Sequence, residues 1–346
     1  MATLLDPKRV RRLVLNAPFR LPLPVQRVVA GKAIVVDSLT LDPQMQIVGK
    51  FLGKLARDPK GRDIGAIRGE FNAMTRAIDR ADPPMARTAT LSIPGPGGKI
   101  PVTLFVPFGA AASAPGVVFF HGGGFAVGSR ITHEGLCHRI ADGTKAIVAS
   151  IEYRLAPENP FPAGVDDAFA GYRWVLEHGS AHGIDPTRLA VAGDSAGGCL
   201  SAVVSILARD AAIPMPKAQW LIYPLTESGA KTASRSLFAQ GFLLDKRTID
   251  WFHNSYLPNN EVDDFRASPL KTPSLASLPP AFVSTAGFDP LRDEGEAYAD
   301  RLKKAGVRTT LRRYPGLIHG FANMRFSKAA CDAVDEGITW LRNELA

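Results

Sequence analysis

From Gly116 onward, short apolar runs alternate with helix-like segments along most of the chain. The runs are almost continuously hydrophobic, whereas the segments between them repeat their apolar positions at helical spacing. Apolar strands joined by helices are typical of a parallel sheet that is buried on both faces. The predicted strands are Gly116–Phe120, Ala146–Ile151, Leu189–Ala192, Gln219–Tyr223, Ala281–Ala286 and Thr309–Tyr314. The predicted helices are one that begins after Thr132, three at Asp166–His178, Ala196–Ala211 and Asp293–Lys304, and a last one at the end of the chain.

A hairpin precedes this alternation. Thr88–Ile93 and Val102–Val106 are predicted strands that flank Gly95-Pro96-Gly97-Gly98, a turn signal. The expected fold class is therefore α/β, with a mostly parallel central sheet that is flanked by helices.

The first part of the chain has a helical pattern. Asp42 supplies an N-cap acceptor and Pro43 suits a first helical turn. We predict an N-terminal helical cap segment over residues 1–85 and one α/β domain over 86–346, with a second cap segment at about 225–260. The apolar positions behind this prediction are Met45, Val48, Phe51, Leu52 and Leu55 in one helix, Ile67, Phe71, Met74 and Ile78 in the next, and Trp251, Phe252 and Tyr256 in the insertion.

The composition is that of a globular protein. Of the 346 residues, 46% are hydrophobic and 21% are charged, which excludes a disordered chain. The net charge is +8, but the basic residues are scattered, and the run Lys8–Arg12 is more typical of a solvated terminus than of a nucleic-acid-binding arm. We expect no nucleic-acid partner.

The cysteines and apolar stretches bear on location. Cys137, Cys199 and Cys331 are odd in number and far apart, so no disulfide framework or metal knuckle is predicted, and a reducing, cytoplasmic location is expected. Leu13–Leu15 is too short for the core of a signal peptide. Ile100–Ser129 lacks charged residues, but prolines and glycines interrupt it, so we expect no membrane span.

The motif Gly193-Asp194-Ser195-Ala196-Gly197 carries the clearest chemistry. It has the form G-x-S-x-G and stands between a predicted strand and a predicted helix, the context in which this motif forms a nucleophile elbow. The alternative, an ordinary buried serine at a helix start, is disfavoured by that context. Ser195 is therefore the predicted nucleophile.

A serine nucleophile needs a base, and the base needs an acid that orients it. In this topology the partners follow in the order Asp then His, each just beyond a strand end. Asp289 and His319 meet that condition, whereas Asp293 and Glu294 fit the first turn of the next helix. The other histidines are at less suitable positions, namely His121, His133, His138, His178, His182 and His253.

A glycine-rich loop, His121-Gly122-Gly123-Gly124-Phe125, directly follows a predicted strand. Glycines leave their amides uncovered and let the chain approach a reacting carbonyl closely. With the amide of Ala196 they can form an oxyanion hole. A phosphate-binding loop is the weaker alternative, because no GxxxxGK[ST] motif is present and no G-x-G-x-x-G opens a helix.

These motifs together resemble the hormone-sensitive-lipase-like carboxylesterases of the α/β-hydrolase fold. The similarity covers residues from about 87 to the end, and Asp194 resembles the GDSAG branch of the family. A departure is Cys199, where the family often has Asn. The stretches that carry the likeness are His121–Gly124, Gly193–Gly197, Asp289–Glu294 and His319–Phe321, with support from Tyr153–Glu158, Phe161–Ala163 and Ser268–Leu270.

The resemblance implies hydrolysis of short- to medium-chain carboxylic esters without a metal or an organic cofactor. It assigns Ser195 as nucleophile, His319 as base and Asp289 as the acid that orients it. The implied oxyanion donors are the amides of Gly123, Gly124 and Ala196, with Gly122 as a substitute for one of them. It further implies a homodimer through an edge strand near Thr309–Tyr314, although the arginines there also suit ordinary edge protection.

Two alternatives stay open at this point. An amidase or arylacetamide deacetylase uses the same triad. A non-catalytic small-molecule receptor on the same fold is disfavoured, because such proteins tend to lose the base and His319 is present.

Overall fold

The computed structural model describes residues 18–52, 58–77 and 82–346, without the side chains of residues 51, 52, 76 and 77. The strands are β1 Val35–Val36, β2 Leu39–Thr40, β3 Met85–Gly95, β4 Gly98–Pro107, β5 Ala114–Phe120, β6 Ile147–Ile151, β7 Ile184–Asp194, β8 Ala218–Ile222, β9 Ala281–Phe288 and β10 Thr309–Ile318. The α-helices are α1 Leu23–Ala30, α2 Pro43–Leu52, α3 Ile64–Ala77, α4 Glu134–Thr144, α5 Ala163–His178, α6 Ala196–Asp210, α7 Ala233–Leu237, α8 Lys246–Tyr256, α9 Arg292–Lys304 and α10 Lys328–Glu344.

The central sheet confirms the predicted α/β class. Within the described ranges it has eight strands in the order β10-β9-β8-β7-β5-β6-β4-β3. Strands β6, β5, β7, β8, β9 and β10 are parallel to one another, and β4 pairs antiparallel with both β6 and β3. Strand β10, the strand near which a dimer contact was expected, lies at one edge of the sheet.

The strands are buried on both faces, as their apolar character predicted. Val117 and Phe119 of β5 belong to one hydrophobic cluster, whereas Val118 and Phe120 belong to another. This division follows from the alternation of side chains along a strand. Helices α4 and α10 cover the first face, and α5 and α6 cover the second.

The hairpin is confirmed, since β3 and β4 pair from Met85↔Pro107 to Gly95↔Gly98. Its first strand begins one residue before the expected boundary of the α/β domain at residue 86.

The N-terminal segment is less uniformly helical than predicted. Helix α2 begins as expected, because Asp42 Oδ1 accepts hydrogen bonds from the amides of Gln44 and Met45 at 2.8 and 3.3 Å. However, the short antiparallel pair β1–β2 lies between α1 and α2. Two-residue strands are too short for alternation to reveal them in a sequence. Met45 and Val48 are fully buried in the hydrophobic cluster that contains Val117 and Phe119. Leu55 and Ile78 lie outside the described residues.

Helix α8 confirms the helix that was expected in the insertion. No helix in the described part of the chain is both long and apolar enough to span a membrane.

Candidate active site

Ser195 stands at the turn between β7 and α6, where its backbone has φ 55° and ψ −116°. This is a strained conformation for a residue with a side chain. The turn leaves no room beside it: a Cβ at Gly197 would overlap the carbonyl of Phe120, and one at Gly193 would overlap the carbonyl of Gly197. The sequence G-x-S-x-G is therefore a packing requirement, and it sets Ser195 at the N-terminus of α6.

The three residues predicted as a triad form a chain of two hydrogen-bond contacts, with His319 in the middle. Ser195 Oγ is 3.0 Å from His319 Nε2, and His319 Nδ1 is 2.8 Å from Asp289 Oδ2. Because a carboxylate only accepts, it fixes the proton of the imidazole on Nδ1 and leaves Nε2 free to accept from the serine. The arrangement can remove a proton from Ser195.

Asp289 is fully buried and is held in place by its own backbone neighbourhood. Its Oδ1 accepts a hydrogen bond from the amide of Leu291 at 2.8 Å. The rival carboxylates are engaged elsewhere. Asp293 accepts from the amide of Ser234 at 2.8 Å, and Glu294 forms a buried ion pair with Arg235 at 2.7 Å. Neither rival is hydrogen-bonded to His319.

The glycine loop after β5 carries backbone amides next to Ser195. Gly123 has φ 122° and Gly124 has φ 58°, values that favour glycine. Within the described part of the chain, the amides of Gly123, Gly124 and Ala196 have no hydrogen-bond acceptor. These N–H groups are available to an anionic oxygen.

Gly122 requires a correction to its suggested role. Its amide donates to Asp194 Oδ1 at 2.9 Å. An N–H group that is already committed to a carboxylate is not free to bind an oxyanion. The candidate donors are therefore Gly123, Gly124 and Ala196.

A buried network behind the loop was not foreseen from the sequence. His133 Nε2 lies 3.2 Å from Asp194 Oδ1, and Tyr223 donates to Asp194 Oδ2 at 3.3 Å. Burial opposes the charged imidazolium of His133, but the Asp194 carboxylate outweighs it and raises the pKa of His133. Burial likewise favours a neutral Asp194, yet the charge of His133 lowers the pKa of that carboxyl. The contact holds the Asp194 carboxylate in the position from which it accepts the amide of Gly122.

Ser195 and His319 open into a cavity of about 990 Å³. Seven of the apolar positions from which the cap was predicted line it and form its roof, namely Val48, Ile67, Phe71, Met74, Trp251, Phe252 and Tyr256. The side chain of Phe51, another of those positions, is outside the described residues. A cavity of this volume is within the range of small-molecule sites.

Cys199 does not contribute a nucleophile. It lies fully buried in α6, and burial raises the pKa of its thiol. No group of His, Cys, Asp and Glu side chains among the described residues is arranged to hold a metal ion.

The parallel sheet, the elbow and the Ser–His–Asp contacts define a protein of the α/β-hydrolase class, and a family model described as the alpha/beta hydrolase fold matches residues 117–323. The carboxylic ester hydrolase LipN of Mycobacterium tuberculosis is 44% identical over 98% of this chain and 94% of its own. The ethyl acetate hydrolase of Pseudomonas putida is 37% identical over 70% of this chain and 76% of its own. A hyperthermophilic esterase from the archaeon Pyrobaculum calidifontis superimposes with a TM-score of 0.84 at 38% identity, covering 88% of this chain and 99% of that structure.

The chain therefore belongs to the hormone-sensitive-lipase-like carboxylesterases of the α/β-hydrolase fold.

Proposed function

We propose that this protein is a serine esterase that hydrolyses carboxylic esters through an acyl-enzyme intermediate. The observation that carries the proposal is the continuous hydrogen-bond chain from Ser195 Oγ through His319 to Asp289 at the wall of a cavity. A non-catalytic receptor on this fold has no need of a base within hydrogen-bond distance of the serine. The position of His319 next to Ser195 therefore favours catalysis.

The residues divide the reaction between them. Ser195 attacks the acyl carbon while His319 Nε2 takes the hydroxyl proton, and Asp289 stabilises the imidazolium that forms. The amides of Gly123, Gly124 and Ala196 bind the developing oxyanion, and one such donor is worth roughly 2.7–4 kcal/mol in other serine hydrolases. His319 then protonates the leaving alcohol, and water repeats the sequence on the acyl-enzyme.

The proposed substrates are short- to medium-chain esters. Residues 1–85 and about 225–260 act as a two-part cap over the catalytic domain, because side chains from α3 and α8 line the cavity above Ser195. A mainly apolar cavity of about 990 Å³ suits an acyl chain of limited length. The similarity to an ethyl acetate hydrolase supports the same substrate class.

The remaining proposals concern the setting of the reaction. No metal or organic cofactor takes part, the protein acts in the cytoplasm, and two copies associate through the edge strand β10. We also propose that the protein does not bind nucleic acid, because its basic residues are scattered along the chain and form no basic run typical of a binding surface.

The test is a matched panel of esters and anilide-type amides with the purified protein and its Ser195→Ala variant. We expect turnover of esters well above that of the matched amides, and a drop of roughly 10⁴–10⁶ in kcat for Ser195→Ala. A preference for the amides would indicate an amidase. Retention of more than a few per cent of turnover by the variant would refute Ser195 as nucleophile.

A further inference from the structure

Arg68 of helix α3 makes contacts that the proposed mechanism does not use. Its guanidinium binds Glu158 with two hydrogen bonds of 2.8 and 2.7 Å. It also donates to two backbone carbonyls, from Nε to Ala126 at 2.9 Å and from Nη2 to Ala156 at 3.0 Å. One side chain of the N-terminal segment therefore binds the catalytic domain at three separate points.

The carbonyl of Ala126 belongs to the loop that carries the oxyanion amides. The amides of Ala126 and Val127 both donate to the carbonyl of Gly123, at 3.1 and 2.9 Å. On the other side, the amide of Ala156 donates to the carbonyl of Phe125 at 2.8 Å. Arg68 thus joins a small backbone network whose other members set the position of Gly123.

The same helix contributes to the roof of the cavity. Ile67, Phe71 and Met74 of α3 line the space above Ser195. A guanidinium presents its donors in a rigid planar fork, which matches a carboxylate and nearby carbonyls in a way that a lysine ammonium does not. Glu158 orients that fork, and the hydrogen bond from Arg68 lowers the pKa of Glu158.

The ion pair by itself contributes little. The side chains of Arg68 and Glu158 are 27% and 48% exposed, and exposed pairs of this kind are typically worth less than about 1 kcal/mol. The contact that affects the reaction is the hydrogen bond to Ala126, because it holds the loop that carries the oxyanion amides. Displacing a catalytic group by about 1 Å can cost about 10²-fold in rate.

We propose that Arg68 is a positioning residue: it links the packing of cap helix α3 on the α/β domain to the position of the glycine loop that carries the oxyanion amides. The inference rests on the proposed esterase activity and adds a specific consequence. A substrate too short to reach the roof still depends on Arg68, because the residue acts through the loop and not only through the cavity wall.

The test compares Arg68→Ala, Arg68→Lys and Glu158→Gln with the parent protein on an acetate ester and a hexanoate ester that share one leaving group. For Arg68→Ala we expect kcat on the acetate ester to fall about ten- to hundredfold. A simple boronic acid forms a serine adduct that places an oxygen in the oxyanion hole, and its inhibition constant should rise in parallel. Glu158→Gln should move both quantities in the same direction but less, because the carbonyl contacts remain.

Arg173→Ala is the matched control. Arg173 forms an exposed pair with Glu177 at 3.2 Å on α5, and its loss should leave both constants unchanged. Should Arg68→Ala fail to unfold cooperatively, Arg68→Lys decides in its place, with the expected loss in acetate kcat about fivefold or more.

An acetate kcat within twofold of the parent, together with a raised KM for the hexanoate ester, would overturn the proposal and leave Arg68 a cap contact only. That outcome would leave the esterase assignment intact. Absence of ester turnover in the parent would instead remove both.

Discussion

Ser195 holds a backbone conformation that costs of order 1–3 kcal/mol for a residue with a side chain. The surrounding structure maintains it through two backbone hydrogen bonds, from Ser195 N to the carbonyl of Ile222 at 2.8 Å and from Leu225 N to the carbonyl of Ser195 at 3.2 Å. Both partners follow or end strand β8, the neighbour of β7 in the sheet. A third hydrogen bond, from the amide of Cys199 in α6, reaches the same Ser195 carbonyl at 3.1 Å, so the strained serine is held by the sheet and by its own helix together.

The choice of acid gives a prediction at this scale. Asp289→Asn should lower kcat on the order of 10⁴-fold, because an amide in place of the carboxylate favours the wrong tautomer of His319. Asp293→Asn, the matched control, removes a charge that serves the first turn of α9 and the amide of Ser234, and should change kcat only a few-fold. Steady-state kinetics on one ester decide it, and a reversed order of the two effects would show that the acid is misassigned.

His121 gives a prediction for the pH dependence of stability. Burial, with a smaller effect from the nearby His133, lowers the pKa of His121 to about 4, whereas an unfolded histidine titrates near 6.5. Between these values the unfolded chain binds a proton that the folded protein does not, so the free energy of unfolding falls as the pH is lowered from about 6.5 to about 4. The difference corresponds to roughly 3 kcal/mol.

The check is urea unfolding at pH 7 and pH 4.5 for the parent and for His121→Gln. The pH-dependent loss of stability should be smaller in the variant. An equal loss in both proteins would show that other groups cause it. The raised pKa of His133 acts in the opposite sense above pH 6.5, where its contribution to stability is lost as the pH rises through its folded pKa.

At the scale of elements, helix α8 packs directly on the oxyanion loop. A Cβ at Gly124 would overlap the ring of Phe252, and Phe125 stacks on Tyr256 with centroids 3.8 Å apart. The insertion therefore contacts the loop as well as the cavity. Cap helices on two sides, α3 through Arg68 and α8 through Phe252, confine the same short segment.

Gly124→Ala tests this contact. The substitution adds a side chain at φ 58° and pushes against Phe252, so we expect kcat/KM to fall about ten- to hundredfold. Phe252→Ala in the same chain should restore part of the loss, since it removes the overlap but not the backbone strain. A double-mutant cycle measures the coupling. Strictly additive effects would show that the ring and the loop do not act on each other.

At the scale of the whole molecule, the cavity limits the substrate. Each added methylene contributes roughly 0.8 kcal/mol while it still finds apolar wall to contact. We expect kcat/KM to rise from acetate, to peak at short or medium acyl chains, and to fall when the chain must bend or protrude. The measurement is kcat/KM across esters with about two to sixteen acyl carbons. A maximum at twelve carbons or more, or a rate jump at an oil–water interface, would indicate a lipase.

The sequence alone predicted the α/β class with its mostly parallel sheet, the elbow at Ser195 and the chain order Ser195, Asp289, His319. These features depend on local spacing: strand and helix periods, small residues about a sharp turn, and the rule that loops after parallel strands meet at one edge. The bounds were less accurate, since β7 begins at Ile184 and not Leu189, and the pair β1–β2 was missed.

Only the tertiary structure decided which polar groups already have hydrogen-bond partners in the fold. The amide of Gly122 is bound by a carboxylate 72 residues away, and Arg68 reaches Glu158 across 90 residues. The contact of His133 with Asp194 likewise joins separate segments. Such partners carry no local signal, because a hydrogen bond between distant segments depends on how the elements pack and not on the spacing of residues within either one.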